Sequence, residues 1–523
     1  MSLSRRHFLS GLSLMLLTTT AWPSYAQNGA KNGATPATSA FSYDTVVKRA
    51  RDLASAPFED KIQPLPEPLA KLDFDAYRDI RFRSDKSLLS SAGGAYRMQM
   101  FHPGFLFQRT VIVNVVRDGV PMPVPYSAQL FDYGRNKFEK PLPVNLGFAG
   151  FRVHYPLNDP KISDELISFL GASYFRFLGR EQKYGLSARA LAIDSGLTEE
   201  EFPFFREFWV EPPVEGAERI VIHALIDSAS VTGAYQFLVY PERETVVDVT
   251  ATLFLRRSVR KLGIAPLTSM FFVGENDRRF FDDFRPELHD SDGLLVHSGS
   301  GEWIWRPLRN PKEQKIAAFL EKDVRGFGLM QRDRVFEHYQ DLDLNYEQRP
   351  SYWIEPVESW GEGHVELIEL PTADETNDNI VAFWVPKQLP ETGQPFVLRY
   401  KMSSLTEAVD LHTGGRAINS YQTTPKALGS GETVPHGARR FIIDFAGGDL
   451  SYYLGDPDRV QIVPTISSGQ ILRTFIVPNP KTGGFRAAID IVVPQGQSSD
   501  VRAFLKSGNR ALTETWTFPW SGQ

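Results

Sequence analysis

From residue 95 onward the dominant signal in the chain is alternation of apolar and polar positions. Ile220, Ile222, Ala224 and Ile226 fall on one face of an extended segment, and Val221, His223, Leu225 and Asp227 on the other. Turn residues at 228–233 follow, after which Tyr235, Phe237 and Val239 resume the pattern. Segment 244–256 repeats it, with Val247, Val249, Ala251, Leu253 and Leu255 on one face. A succession of short strands, each followed by turn chemistry, predicts a large antiparallel β-sandwich. The 36 Pro and 40 Gly are spread along the chain, because many short strands require many turns.

The same alternation sets the domain plan. One block of strands ends with 396–402, and a polar run makes a linker at 405–415. Beyond it strands are predicted over 441–445, 461–466, 471–477, 485–493 and 501–505. That spacing fits an immunoglobulin-like sandwich at 416–523 without a disulfide, following the large sandwich at 41–404. Helical periodicity is scarce. Val46, Val47, Ala50 and Leu53 share one side of a short amphipathic helix over 44–54, capped at Ser42 or Asp44.

Residues 27–40, rich in Gly, Ala, Thr and Asn without periodicity, read as a flexible tether. Residues 1–26 read as an export signal. Ser4-Arg5-Arg6-His7-Phe8-Leu9-Ser10 precedes an apolar run at 12–17, and Ser24-Tyr25-Ala26 is a small-x-small cleavage pattern. The paired Arg before Phe-Leu matches a twin-arginine signal, which implies folding before export to the periplasm of a Gram-negative bacterium. An ordinary secretory signal with a chance Arg pair leads to the same compartment.

Composition narrows the function classes. Apolar content of 42% and charged content of 23% are those of a soluble globular protein. The net charge is −6, and −8 once residues 1–26, with two Arg and no acid, are removed. Such a chain has no electrostatic reason to bind nucleic acid or anionic lipid. Cysteine is absent, which excludes disulfides, thiolate metal sites and Cys nucleophiles. No apolar run after residue 26 approaches the ~20 residues a membrane span needs, so the mature chain is not expected to span a membrane. The 12% aromatic content supplies material for a sugar-stacking surface, although most rings must belong to the core.

Phosphate-loop, dinucleotide and nucleophile-elbow patterns are missing, and no His pair has helical metal-ligand spacing, so neither metal nor organic cofactor is expected. Acidic residues remain. Pro371-Thr372-Ala373-Asp374-Glu375-Thr376-Asn377-Asp378-Asn379 packs three carboxylates into five residues between two apolar strands. A loop held at both ends can aim one carboxyl at a substrate, yet Asp, Asn, Thr and Pro are also ordinary turn residues. Two further segments set acids or Arg beside rings. One runs from Arg285 through Asp290 to Gly293 and on to Trp303, Trp305 and Arg306, and the other holds Tyr346, Arg349 and Trp353. Such neighbours suit a pyranose, and equally a buried ion pair beside a core Trp.

Several blocks carry a family resemblance: Leu146-Gly147-Phe148-Ala149-Gly150-Phe151, Phe169-Leu170-Gly171-Ala172-Ser173-Tyr174-Phe175-Arg176, Tyr184-Gly185-Leu186-Ser187-Ala188-Arg189, Ala265-Pro266-Leu267-Thr268-Ser269-Met270-Phe271, and the Asp290, Trp303 and Asp378 segments. Together they resemble the osmoregulated periplasmic glucan biosynthesis proteins, G and D types, over essentially all of 41–523. The body is closer to the G type, as in Glu375-Thr376-Asn377-Asp378-Asn379-Ile380-Val381, while the leader and His289-Asp290-Ser291-Asp292 are more typical of the D type.

The resemblance implies a galactose-mutarotase-like β-sandwich with a long cleft, then an immunoglobulin-like domain. It implies β-1,2-glucan as the ligand and an anomer-inverting endo-β-1,2-glucanase activity, with Asp378 the general acid and Asp290 the general base through a relay. The carboxyl of Asp378 is expected to be partly buried near Asp374 and Glu375, with its pKa raised, and Tyr346 to offer the relay hydroxyl. Arg349, Glu375, Asp374, Trp303, Trp305 and Trp353 are expected to touch substrate. The competing expectation is a non-catalytic scaffold that receives nascent glucan from an inner-membrane synthase.

Overall fold

Two large sheets hold most of the strands in the computed structural model, which describes residues 40–60, 62–90, 94–407, 411–426, 429–431 and 433–522. The expected leader, the tether up to residue 39 and positions 408–410 of the expected linker lie outside the described residues. One sheet has ten strands and runs from Arg97–Phe101 at one edge, through Asp164–Leu170, Tyr174–Phe177, Ser187–Arg189 and Leu262–Ser269, to Ile380–Pro386, Glu362–Glu369 and Lys315–Lys322. The other has fifteen and includes Ile220–Asp227, Val231–Tyr240, Val246–Leu255 and Pro395–Leu405, which pair as consecutive antiparallel neighbours. The predicted alternation is thus realised as strands, and the chain is all-β with few, short helices.

The main core joins these sheets. Phe151, Phe169, Phe175, Leu267 and Trp384 from one meet Phe208, Ile222, Phe237, Val249 and Tyr352 from the other, all buried. Much of the aromatic content sits here, with Phe169 against Phe151 at 5.2 Å and against Phe237 at 5.3 Å between ring centroids. Each such ring removes roughly 150–250 Å² from water, which makes this layer the largest source of stability in the fold. Tyr352 keeps its hydroxyl satisfied while buried by donating to the Phe177 carbonyl at 2.6 Å and accepting from the Phe177 N–H at 2.8 Å.

Strand Ile220–Asp227 is buried on both faces. His223, Leu225 and Asp227 are as buried as the inward residues, because helix Tyr43–Ala54, with Ser42 at its N-cap, covers that face. Val46 and Ala50 pack on Trp209, Leu225, Ala234 and Phe254. The helix is fastened by polar contacts as well: Thr232 donates to the Ala50 carbonyl at 2.7 Å, and Arg256 to the Leu53 carbonyl at 2.8 Å.

Toward the C-terminus, Arg416–Thr423, Arg439–Ala446, Gly484–Val492 and Gln470–Asn479 form a separate four-stranded sheet. Gln461–Ile466, Ser498–Ser507 and Thr515–Ser521 instead extend the fifteen-stranded sheet, joined through a parallel contact between Thr515–Ser521 and Trp303–Pro307. A second core lies here, in which Phe441, Phe485, Trp516 and Phe518 pack with Leu295, Trp305, Met330 and Trp353. The sheets are mainly antiparallel, with parallel pairings here and at Ile112–Arg117 beside Phe204–Glu211. In both, strands distant in sequence return alongside one another.

Candidate active site

Strands Glu362–Glu369 and Ile380–Pro386 are antiparallel neighbours, with Glu369 opposite Ile380, so the loop between them is anchored by the ten-stranded sheet itself. Buried Asn379 fixes its exit. Its side-chain amide donates to the carbonyls of Phe271 (3.0 Å) and Leu370 (2.9 Å), and its side-chain oxygen accepts from Phe271 N–H (2.9 Å). Asn310 fixes the entry by exchanging two 3.0 Å hydrogen bonds with the Thr372 backbone. Within the loop, Asp374 accepts from the Thr376 hydroxyl (2.5 Å) and N–H (2.8 Å), and these bonds hold its carboxyl below the usual carboxylate range. Asp374 therefore performs turn chemistry.

Glu375 is the loop's link to the body. Arg285 donates to both of its oxygens, at 3.0 and 2.9 Å, and also reaches Asp341 at 2.9 Å and Asp283 at 2.7 Å. The Tyr346 hydroxyl donates to Glu375 as well, and burial together with that carboxylate pushes the phenol well above its ordinary pKa. The buried Tyr346 ring stacks on Tyr339, while the Arg349 guanidinium lies 3.6 Å from its centroid. Arg349 in turn contacts buried Asp290 directly. Gly185 lets Arg349 pack this closely, since a Cβ there would come within 2.9 Å of the Arg349 side chain. Burial pulls the Arg349 pKa down, and nearby Glu375 and Asp378 oppose that. Asp290, Arg349, Tyr346, Glu375 and Arg285 thus form one continuous polar chain.

Asp378 stands apart from that chain. It is exposed, not partly buried as expected, and lines a cleft of about 540 Å³. Opposite and around it are Phe101, Phe107, Tyr174 and Tyr184, with Glu165, Arg176 and Ser187 among the polar groups. Arg176 donates to the Ser187 hydroxyl at 2.6 Å, and Glu165 pairs with Arg152 at 3.1 Å. The Tyr184 hydroxyl is held well above its usual pKa by burial and by Glu165. Rings beside hydrogen-bonding and charged groups in a concave site suit a carbohydrate, whose sugar faces are apolar and whose rims carry hydroxyls.

The linear sequence assigns no role to Glu165, Arg176, Tyr174 or Tyr184, and marks Arg285 only as the start of a candidate segment. The first four stand on or beside neighbouring strands of the ten-stranded sheet, and only strand pairing brings them to Asp378. Two of the three Trp expected to stack on sugar require correction. Trp305 and Trp353, 4% and 2% exposed, belong to the second core, where Trp305 is covered by Arg332 at 3.5 Å and Trp353 abuts Gly326 and Gly328. Trp303 is half-buried and stacked on His297 at 4.0 Å and on Trp353 at 5.7 Å, away from the cleft lining. The relay expected of Tyr346 also meets a different geometry, because its hydroxyl is committed to Glu375.

A second buried network adjoins Asp290. The His289 ring bonds Gln331 at 2.9 Å and Glu287 at 3.1 Å. Burial opposes its charge, but Glu287, Asp292 and Glu275 outweigh that and lift its pKa to about 9. Among the described residues, Glu287, Asp333 and His338 bring three donor atoms within 4.8 Å of one another. Each already has a protein partner, Glu287 in His289 and Asp333 and His338 in each other.

The family model described as periplasmic glucan biosynthesis protein, MdoG, matches residues 41–520. Glucans biosynthesis protein G of Ralstonia nicotianae is 44% identical over 485 residues, covering 92% of this chain and 96% of that protein. The proteins of the same name from Serratia proteamaculans (43% over 486 residues, 92% and 93%) and Pectobacterium atrosepticum (44% over 485 residues, 91% and 92%) are similarly close. The G-like character of the body agrees with these names. The chain belongs to the periplasmic glucan biosynthesis protein family, MdoG.

Proposed function

We propose that this chain acts in periplasmic glucan biosynthesis as an anomer-inverting endo-β-1,2-glucanase, with Asp378 as the general acid. The observation that carries the reading is the placement of Asp378: an exposed carboxyl at the wall of a ring-lined cleft, on a loop pinned by Asn379, Asn310 and the Arg285–Glu375 clamp. A carboxyl so fixed can meet the oxygen bridging two glucoses in one geometry, which general acid catalysis requires.

In the proposed step, water attacks the anomeric carbon from the face opposite the leaving group. The bond to the bridging oxygen breaks, and that oxygen takes the Asp378 proton while a second carboxylate takes the proton of water. Asp290 serves as that base through a relay, since its buried pairing with Arg349 keeps it from the attacking water itself. Glu165 is the alternative base, on the specific ground that it lines the same cleft as Asp378. Full activity in Asp290→Asn with loss in Glu165→Gln would move the role to Glu165.

Inversion is tested by proton NMR of fresh product from linear β-1,2-glucan: the α anomer appears first, and β first contradicts the mechanism. The competing reading is a non-catalytic glucan scaffold serving the membrane synthase, which predicts binding without new reducing ends. Residues 416–523 are taken as an immunoglobulin-like supporting domain, and 1–26 as the signal directing the chain to the periplasm.

A further inference from the structure

A second concavity of about 970 Å³ lies on the other side of the acidic loop's root, where Pro371 and Thr372 form part of its wall. Its charge is opposite to that of the chain as a whole. Arg278, Arg279, Arg309, Lys312, Lys315 and Arg439 line it, against Glu275, Asp277 and Glu313, in a protein whose net charge is −6. Among the described residues, Arg278, Lys312, Lys315 and Arg439 have no carboxylate oxygen within 4.0 Å. Asp277 is already occupied, accepting from Arg279 at 3.4 Å and from the Asn310 N–H at 2.9 Å. Burial and the carboxylates of Glu287 and Asp292 press Glu275 toward its neutral form. Arg309 is faced by Glu369 at 4.0 Å, which leaves Glu313 against Arg278, Lys312, Lys315 and Arg439.

The groove also holds donors that the protein leaves unused. The indole N–H of Trp520, a side chain more than nine-tenths buried, has no acceptor, and neither do the Nε atoms of Arg279, Arg309 and Arg439. Buried donors without acceptors are costly, on the order of 1–3 kcal/mol each, and these four lie beneath the wall, where they leave its positive potential without a compensating protein acceptor. Guanidinium and ammonium donors of Arg278, Arg439, Lys312 and Lys315 approaching from several directions match a tetrahedral oxyanion better than a planar carboxylate. The volume exceeds that of bare phosphate and falls in the size range of pockets that take organic ligands.

From this arrangement we infer that the groove is an anion-binding site for an organic phosphate, carried on a polar body such as a sugar and seated against the root of the Asp378 loop. The inference does not rest on the hydrolase reading, because it concerns binding at a different concavity.

Titration calorimetry of the purified mature protein tests it with glucose 6-phosphate, inorganic phosphate and glucose as probes. Glucose 6-phosphate should bind, phosphate should compete with it, and glucose should not. Arg278→Gln/Arg439→Gln should weaken binding about tenfold or more, the equivalent of roughly 1.4 kcal/mol. Lys312→Gln/Lys315→Gln, at exposed positions, should weaken it without disturbing the fold. Co-sedimentation with phosphatidylglycerol vesicles separates the sources. Capture that depends on these same residues assigns the phosphate to a lipid headgroup and supports the site. Absence of phosphate binding, binding indifferent to both double variants, or preference for an oligoglutamate peptide over every phosphate compound would overturn the inference.

Discussion

Arg349 touches Asp290 in a buried ion pair while its guanidinium covers the Tyr346 ring at 3.6 Å. Removing one partner leaves the other charge uncompensated in the interior, which costs on the order of 3–5 kcal/mol, whereas replacing both by apolar groups costs far less. Asp290→Asn should therefore lower the melting temperature, and Asp290→Leu/Arg349→Met should recover most of the loss. If Asp290 is the base, glucan cleavage stays abolished in the recovered double variant. Recovery of cleavage along with stability would make the pair purely architectural.

Glu375 receives both Arg285 nitrogens and the Tyr346 hydroxyl, so it fixes the loop that carries Asp378. Glu375→Gln keeps the size but cannot match a bidentate guanidinium as a charged acceptor. The expected result is a fall in kcat of about 10–100-fold with KM changing less, since misplacing a catalytic group costs rate before binding. Arg285→Lys should behave alike, because a single ammonium cannot reproduce the fork. Unchanged kcat in both variants would release the loop from this control.

His289 gives the fold a signed pH dependence. Its pKa rises from about 6.5 to about 9 on folding, so the charged ring binds its proton more tightly in the native state. The stabilisation is complete below pH 6.5 and is lost as pH climbs through 9. Calorimetric melting temperatures should fall across that interval, and His289→Gln should flatten the slope. A wild-type protein equally stable at both ends of the interval would contradict the assignment.

Trp305 and Trp353 are core residues here, and their substitution should read accordingly. Trp353→Phe leaves space against Gly326 and Gly328 and should cost about 2 kcal/mol in urea unfolding, with KM for glucan unmoved. A large KM increase without destabilisation would return the ring to the substrate.

The strands, the short N-terminal helix and the tethered acidic loop were legible because period-two patterning and turn chemistry are local properties. Ile220–Asp227 could be placed as a strand, but not as doubly buried, since its second cover comes from a helix some 180 residues away in sequence. The cleft was not legible for the same reason. Asp378 meets Tyr174, Arg176 and Tyr184 only after strand pairing. The Trp residues misled because a ring beside Arg or Asp has one composition in a core and in a sugar site. Trp305 lies opposite Trp516 across a parallel pairing that no local pattern announces.

The most direct test counts new reducing ends released from linear β-1,2-glucan by the wild-type chain and by Asp378→Asn, with circular dichroism confirming that both are folded. The account predicts steady release by the wild type and a loss of at least ~10²-fold in the variant, the scale of a missing general acid. Equal release by both proteins, or none by either, would contradict it.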